Sequence, residues 1–210
     1  VRGDEGDFND IDTSNIKDME SLFNDNKTFN GDITGWNVSK VINMSYMFCD
    51  AKSFNQDISK WKFPIVENMS CMFLGATSFN QPIGNWKFPN VTDMSMYFYK
   101  ATSFNQPIGK WEFPNVKDVS GMFMEAKSFN QPIGNWKFPN VENMNCMFYF
   151  ASSFNQDLSK WEFPNVKSMS YMFSGATSFN QDLSKWDLSK KEKLGIFDGP
   201  MPCLDTMMMA

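Results

Sequence analysis

Residues 41–65 read VINMSYMFCDAKSFNQDISKWKFPI. A step of 25 residues in either direction returns the same frame. Trp36, Trp61, Trp86, Trp111, Trp136, Trp161 and Trp186 keep that interval, as do Phe29, Phe54, Phe79, Phe104, Phe129, Phe154 and Phe179 and the Asn after each of them. All seven tryptophans of the 210-residue chain therefore fall in one register. A fixed period in the twenties marks a repeat protein whose units bury their apolar faces only against one another.

Within the stretch the apolar positions are Val41, Met44, Met47, Phe48, Ala51, Phe54, Ile58, Trp61 and Phe63. From Val41 to Ala51 the steps of three, three, one and three predict one face of a short helix. From Ile58 to Phe63 the pattern ends in alternation, which predicts a short strand with Trp61 and Phe63 on one side. Ser53-Phe54-Asn55-Gln56 makes one corner. Phe-Pro-Asn, as at Phe88-Pro89-Asn90, makes the other, the proline ending the strand. The expected fold class is an α/β repeat solenoid in which like residues stack in columns. Three continuous aromatic ladders are expected, at the Phe48, Phe54 and Trp61 registers. The Asn column after Phe54 is expected to turn inward and satisfy backbone groups at its corner.

The organisation expected is an N-terminal extension (1–7), a seven-coil solenoid (8–190) and a C-terminal cap and tail (191–210). The first coil is degraded, with Ile11 at the Trp register and Gly31 at the Gln56 register. Lys190-Lys191-Glu192-Lys193 puts charge where Val belongs, as the outer face of a cap requires, and residues 199–210 match no register. With 42% hydrophobic and 20% charged residues the chain can bury a core. A formal charge of −5 and a pI near 4.8 exclude a nucleic-acid partner, which needs a basic stripe to displace counterions. No apolar run reaches the roughly 18 residues of a membrane span. Cys71 and Cys146 share a register three coils apart, roughly 14 Å at a spacing of about 4.8 Å, so both are expected as free thiols. Cys49 and Cys203 offer no evident pairing.

The string Asn-Met-Ser-x-Met-Phe, at Asn43–Phe48 and Asn68–Phe73, followed by Ala-x-Ser-Phe-Asn-Gln and a Trp, resembles the bacterial surface-protein repeat found in many lipoproteins and BspA-like leucine-rich-repeat proteins. Ile58-x-x-Trp61-x-Phe63-Pro64-x-Val66-x-x-Met69 is similar to the leucine-rich frame, with Trp, Phe and Met standing for leucine. The resemblance covers about residues 8 to 190. It implies a right-handed coil with a parallel strand stack and short helices, displayed on a cell surface or outside the cell and used for adhesion or partner binding. It leaves virion and intracellular locations open, because such repeats also occur in large viruses and eukaryotic microbes. The sequence departs from the family in its Phe-Pro-Asn corner, its cysteines and the lack of a visible lipidation signal.

Chemistry is sparse. The chain has no histidine, which removes the commonest general base, Ser-His-Asp and Cys-His arrangements, and most zinc sites. Asp57, Asp157 and Asp182 share a register with Pro82, Pro107 and Pro132, which marks a tolerant turn position. No catalytic, cofactor-binding or metal-ligating residue is assigned, and Asp7 to Asp12 lacks the central Gly of a calcium loop. Arg2-Gly3-Asp4 spells the tripeptide that integrins read. The Asn-x-Ser/Thr triplets at Asn26, Asn37, Asn43, Asn68 and Asn90 include by-products of the repeat.

Recognition is expected on the strand side, where Lys62, Lys87, Glu112, Lys137 and Glu162 point away from the core between Trp and Phe. Lys60, Asn85, Lys110, Asn135, Lys160 and Lys185 extend the same polar face. The alternating signs from Lys87 onward also predict ion pairs between neighbouring coils. A second variable column, Tyr46, Met96 and Tyr171 beside Tyr99, Tyr149 and Phe150, would suggest lateral self-association if exposed. The reading is a non-enzymatic scaffold that binds a protein or glycan through its strand-side face. The alternative is a structural component of a filament, coat or virion.

Overall fold

The computed structural model describes residues 3–188 and 195–197. Among them each 25-residue unit is one coil laid on the next. Parallel single-residue bridges pair Asp7 with Asp32 and Asp18 with Asn43, and continue in that register to Asn143 with Ser168. The Phe29 to Phe179 column is unbroken, with ring centroids 5.9–6.1 Å apart at every step. The Phe23 to Phe173 column is equally regular at 5.5–5.7 Å. Phe197 adds another ring 5.8 Å beyond Phe173. Within a coil the two columns interlock, Phe48 lying 3.9 Å from Phe54. Such ring pairs add about 0.5–1.5 kcal/mol each beyond the area they bury.

The expected α/β architecture is not what forms. The described residues contain no helix, and their only β-pairing is the isolated bridges, so the chain is not an α/β solenoid with a parallel strand stack and short helices. The helical spacing over Val41–Ala51 belongs instead to a run of turns. Tyr46 and Asp50 are left-handed, at φ 56° and 52°, and the same two registers are left-handed in every coil from Ser21 and Asp25 to Tyr171 and Gly175. A left-handed residue every fourth position cannot continue a right-handed helix. The amides then divide their work. Those of Met47, Cys49 and Ala51 bond the carbonyl three residues back, while those of Met44, Tyr46, Phe48 and Asp50 bond carbonyls of Asn68, Ser70, Met72 and Leu74 in the next coil. A helix would spend all of them internally and leave stacking to side chains alone.

The expected strand keeps its alternation without its pairing. Trp61 and Phe63 are buried and Lys62 is exposed, yet the amide of Trp61 bonds back to Ile58 in a turn and Pro64 has no amide to donate. Side chains supply the missing cross-links. Asn90, Asn115, Asn140 and Asn165 each donate Nδ2–H to a proline carbonyl of the preceding coil at 2.6 Å. The column after Phe54 forms the expected ladder: each Asn Oδ1, from Asn30 to Asn155, accepts the backbone N–H of the Asn one coil on at 2.9–3.0 Å. That ladder runs along a partly exposed edge rather than inward.

The Trp column is continuous only in its second half. Trp111, Trp136, Trp161 and Trp186 stack 6.3–6.4 Å apart within 8° of parallel. Each donates Nε1–H to a carbonyl 28 residues earlier at 2.9–3.1 Å. Trp61 and Trp86 join no such stack among the described residues, and their buried N–H groups have no acceptor. An unpaired buried donor costs about 1–3 kcal/mol. Lys190-Lys191-Glu192-Lys193, the tail 199–210, Cys203 and Arg2 lie outside the described residues.

Candidate partner-binding face

The core columns hold the candidate residues in place. Lys60, Lys62, Asn85, Lys87, Lys110, Glu112, Asn135, Lys137, Lys160, Glu162 and Lys185 are all exposed, each beside or between buried Trp and Phe of its own coil. The structure thus brings them together as parallel rows on one side of the stack. Lys87 faces Glu112 at 3.8 Å and Lys137 faces Glu162 at 3.9 Å, as the alternating signs predict. Both pairs are solvated, so each contributes at most a few tenths of a kcal/mol.

The second variable column does not stand open. Met96 and Tyr99 are 4% and 3% exposed, and they pack with Cys49, Cys71, Leu74, Met124 and Cys146 in a small outer cluster. Tyr46, Tyr149 and Tyr171 cover it, and Phe150 alone in this strip is widely exposed, at 49%. Cys49, Cys71 and Cys146 are free thiols. Burial pushes them up to about 12, 11 and 11, which leaves them protonated and unreactive at neutral pH.

The acidic positions are occupied with local bonding. Asp57, Asp157 and Asp182 accept the amides of Ser59, Ser159 and Ser184 at 2.8–3.0 Å. Bonds from those serines hold the three carboxyls below their usual range. Asp7 and Asp12 likewise close turns onto Asn9 and Ser14. Asp4, the last residue of the tripeptide, is bonded by Thr28 through its side chain and by the Asn30 amide through its carbonyl. Among the described residues no group of three His, Cys, Asp or Glu is placed to hold a metal, and no helix is long and apolar enough to cross a membrane.

Two features escaped the sequence reading. The Asn of the Phe-Pro-Asn corner is a cross-link, a role signalled by its recurrence immediately after a residue that lacks an N–H. The unpaired Trp61 and Trp86 carry no signal of their own, because all seven tryptophans share one register.

The family described as Mycoplasma protein of unknown function, DUF285, matches residues 3–111 and again residues 92–199. No curated protein and no solved structure matches the chain. The two matches overlap and together run from residue 3 to residue 199. The chain therefore belongs to the family described as Mycoplasma protein of unknown function, DUF285.

Proposed function

We propose that this chain is a non-enzymatic repeat scaffold of the BspA-like type, presented at a cell surface, that binds a protein or glycan partner through its Lys/Asn/Glu rows. The observation that carries the reading is the fixed spacing of eleven exposed polar side chains over buried Trp and Phe columns. A rigid, repeating surface binds without paying to order itself, which is where an extended interface gains affinity. The family's repeat supports the comparison with surface proteins and leaves the partner open.

Charge reversal tests the face. Lys60, Lys110, Lys160 and Lys185 are exposed, so K60E/K110E/K160E/K185E is expected to keep a cooperative melt lowered by no more than about 8 °C, since each surface change rarely exceeds ~0.5 kcal/mol. Attachment to host cells or matrix is expected to fall at least about tenfold, equivalent to ~1.4 kcal/mol. Full attachment by this variant would remove the proposed face.

A further inference from the structure

Three features of the face meet between coils 41–65 and 66–90, at one of the hollows on this register, another being lined by Trp161, Glu162, Phe163, Lys185 and Asp187. The first is a hollow of about 350 Å³ whose apolar lining is Trp61, Phe63, Pro64, Trp86 and Pro89. The second is that Trp61 and Trp86, 4% and 2% exposed, are the two tryptophans whose indole N–H lacks an acceptor. The third is charge. From Lys87 to Glu162 the signs on this register alternate from coil to coil, but Lys62 is followed by Lys87, the one pair of adjacent cations in the column, and both border the hollow. Like charges on adjacent coils repel. Lys87 reaches Glu112 on its far side, while Lys62 has no carboxylate within ion-pair distance among the described residues.

A ligand that suits this place has an apolar body, a negative charge and hydrogen-bond acceptors. A neutral sugar needs several converging polar groups to read its hydroxyls and would leave the lysine pair unused. An aromatic or aliphatic side chain next to a carboxylate uses both the lining and the charges.

We propose that this hollow is the docking slot for an acidic peptide segment of a partner protein. An apolar side chain seats on the exposed rings of Pro64 and Pro89, above the buried Trp61, Phe63 and Trp86, and the adjoining carboxylate meets Lys62 and Lys87. The slot deepens the partner-binding reading above and rests on it.

The test uses the full chain, isotopically labelled so that each indole N–H gives an NMR signal. It is titrated with acetyl-Asp-Phe-Glu-Leu-amide, its neutral counterpart acetyl-Asn-Phe-Gln-Leu-amide, and chitobiose. The acidic peptide is expected to saturate and to move the Trp61 and Trp86 signals while those of Trp161 and Trp186 stay. K62E/K87E is expected to weaken it at least tenfold, and K127E, away from the face, to leave it unchanged. Equal binding of the two peptides, no binding of either, displacement of the Trp61 and Trp86 signals by chitobiose, or full affinity in K62E/K87E would each overturn the slot. The cell or matrix assay separates the two readings. If K62E/K87E attaches fully while K60E/K110E/K160E/K185E does not, the slot fails and the wider face stands; if both attach fully, the face fails as well.

Discussion

Tyr97 stands where Met47, Met72, Met122, Met147 and Met172 stand in other coils, fully buried, with its hydroxyl directed to the thioether of Met72 at 3.6 Å. Sulfur is a weak acceptor, and burial alone holds the phenol well above its ordinary range. Tyr97→Phe keeps the ring and its edge contacts with Phe73, Phe98 and Trp111. It is predicted to leave stability unchanged or to raise it by up to about 1 kcal/mol in denaturant unfolding. Asp118 poses the opposite problem for a charge. Burial raises its pKa above 3.8, the neighbouring Asp93 adds to the effect, and bonds from Ser120 and Asn143 only partly offset it. A carboxyl with a raised folded-state pKa opposes folding when ionised, so its penalty is full at neutral pH and disappears as pH falls through that pKa. Asp118→Asn, matching Asn43, Asn68 and Asn143 in the same column, is predicted to be at least as stable at pH 7 and to lose the part of the pH dependence that favours mild acid. Melts from pH 7 downward check this against the parent. A variant that is less stable at pH 7 would show that ionised Asp118 is favourable. The exposed Asp12, Asp57, Asp157 and Asp182 act in the other sense: their pKa values are lowered, so what they contribute is present above 3.8 and lost below it.

The corners show how far sequence reaches at the scale of an element. Asp57-Ile58-Ser59 and Pro107-Ile108-Gly109 occupy one register, and each pair of end residues belongs together. With Asp, a side-chain oxygen holds the Ser amide; with Pro, the third residue is Gly, and a Cβ there would meet the next coil, lying 2.6 Å from the carbonyl oxygen of Pro132 at Gly109 and closer still to that of Asp157 at Gly134. Gly109→Ser is predicted to cost about 1–3 kcal/mol through that clash. Because the Pro132 carbonyl belongs to the next coil, adding Pro107→Asp is predicted to leave most of the loss in place, and denaturant unfolding of the single and double variants measures the coupling. The columns, the corners, the ion pairs and the exposed face were legible because period and burial pattern are properties of sequence. The type of element was not. Steps of three and four are shared by a helix and by linked turns, and of the left-handed residues that separate them only Asp25, Asp50 and the glycines favour that conformation, while the Ser, Tyr, Cys, Met, Lys, Glu and Phe do not announce it. Far-UV circular dichroism is therefore predicted to lack the paired minima of an α-helix, and their presence would contradict the turn ladder.

At the scale of the molecule, each coil touches the coil before and the coil after, so whole coils are removable and fractions are not. Deleting residues 116–140 joins Asn115 to Val141 in place of Asn140 to Val141 and keeps every column in register. This variant is predicted to unfold cooperatively at a somewhat lower temperature. Deleting 116–127 shifts every later aromatic out of its column and is predicted to abolish the cooperative transition in thermal melts followed by tryptophan fluorescence. The 25-residue repeat and the exposure of the polar rows could be read at this scale, whereas the hollow beside Trp61 and Trp86 and their unpaired N–H groups could not, since identical registers in the sequence do not reveal which coils leave an indole without an acceptor. The asparagine ladder also has a direction: the acceptor always belongs to the earlier coil and the donor to the later one. As the polypeptide leaves the ribosome, each completed turn already offers its asparagine oxygen, and along the turn run its free amides, to the segment being made, so the protein can zip shut from its N-terminal end during translation.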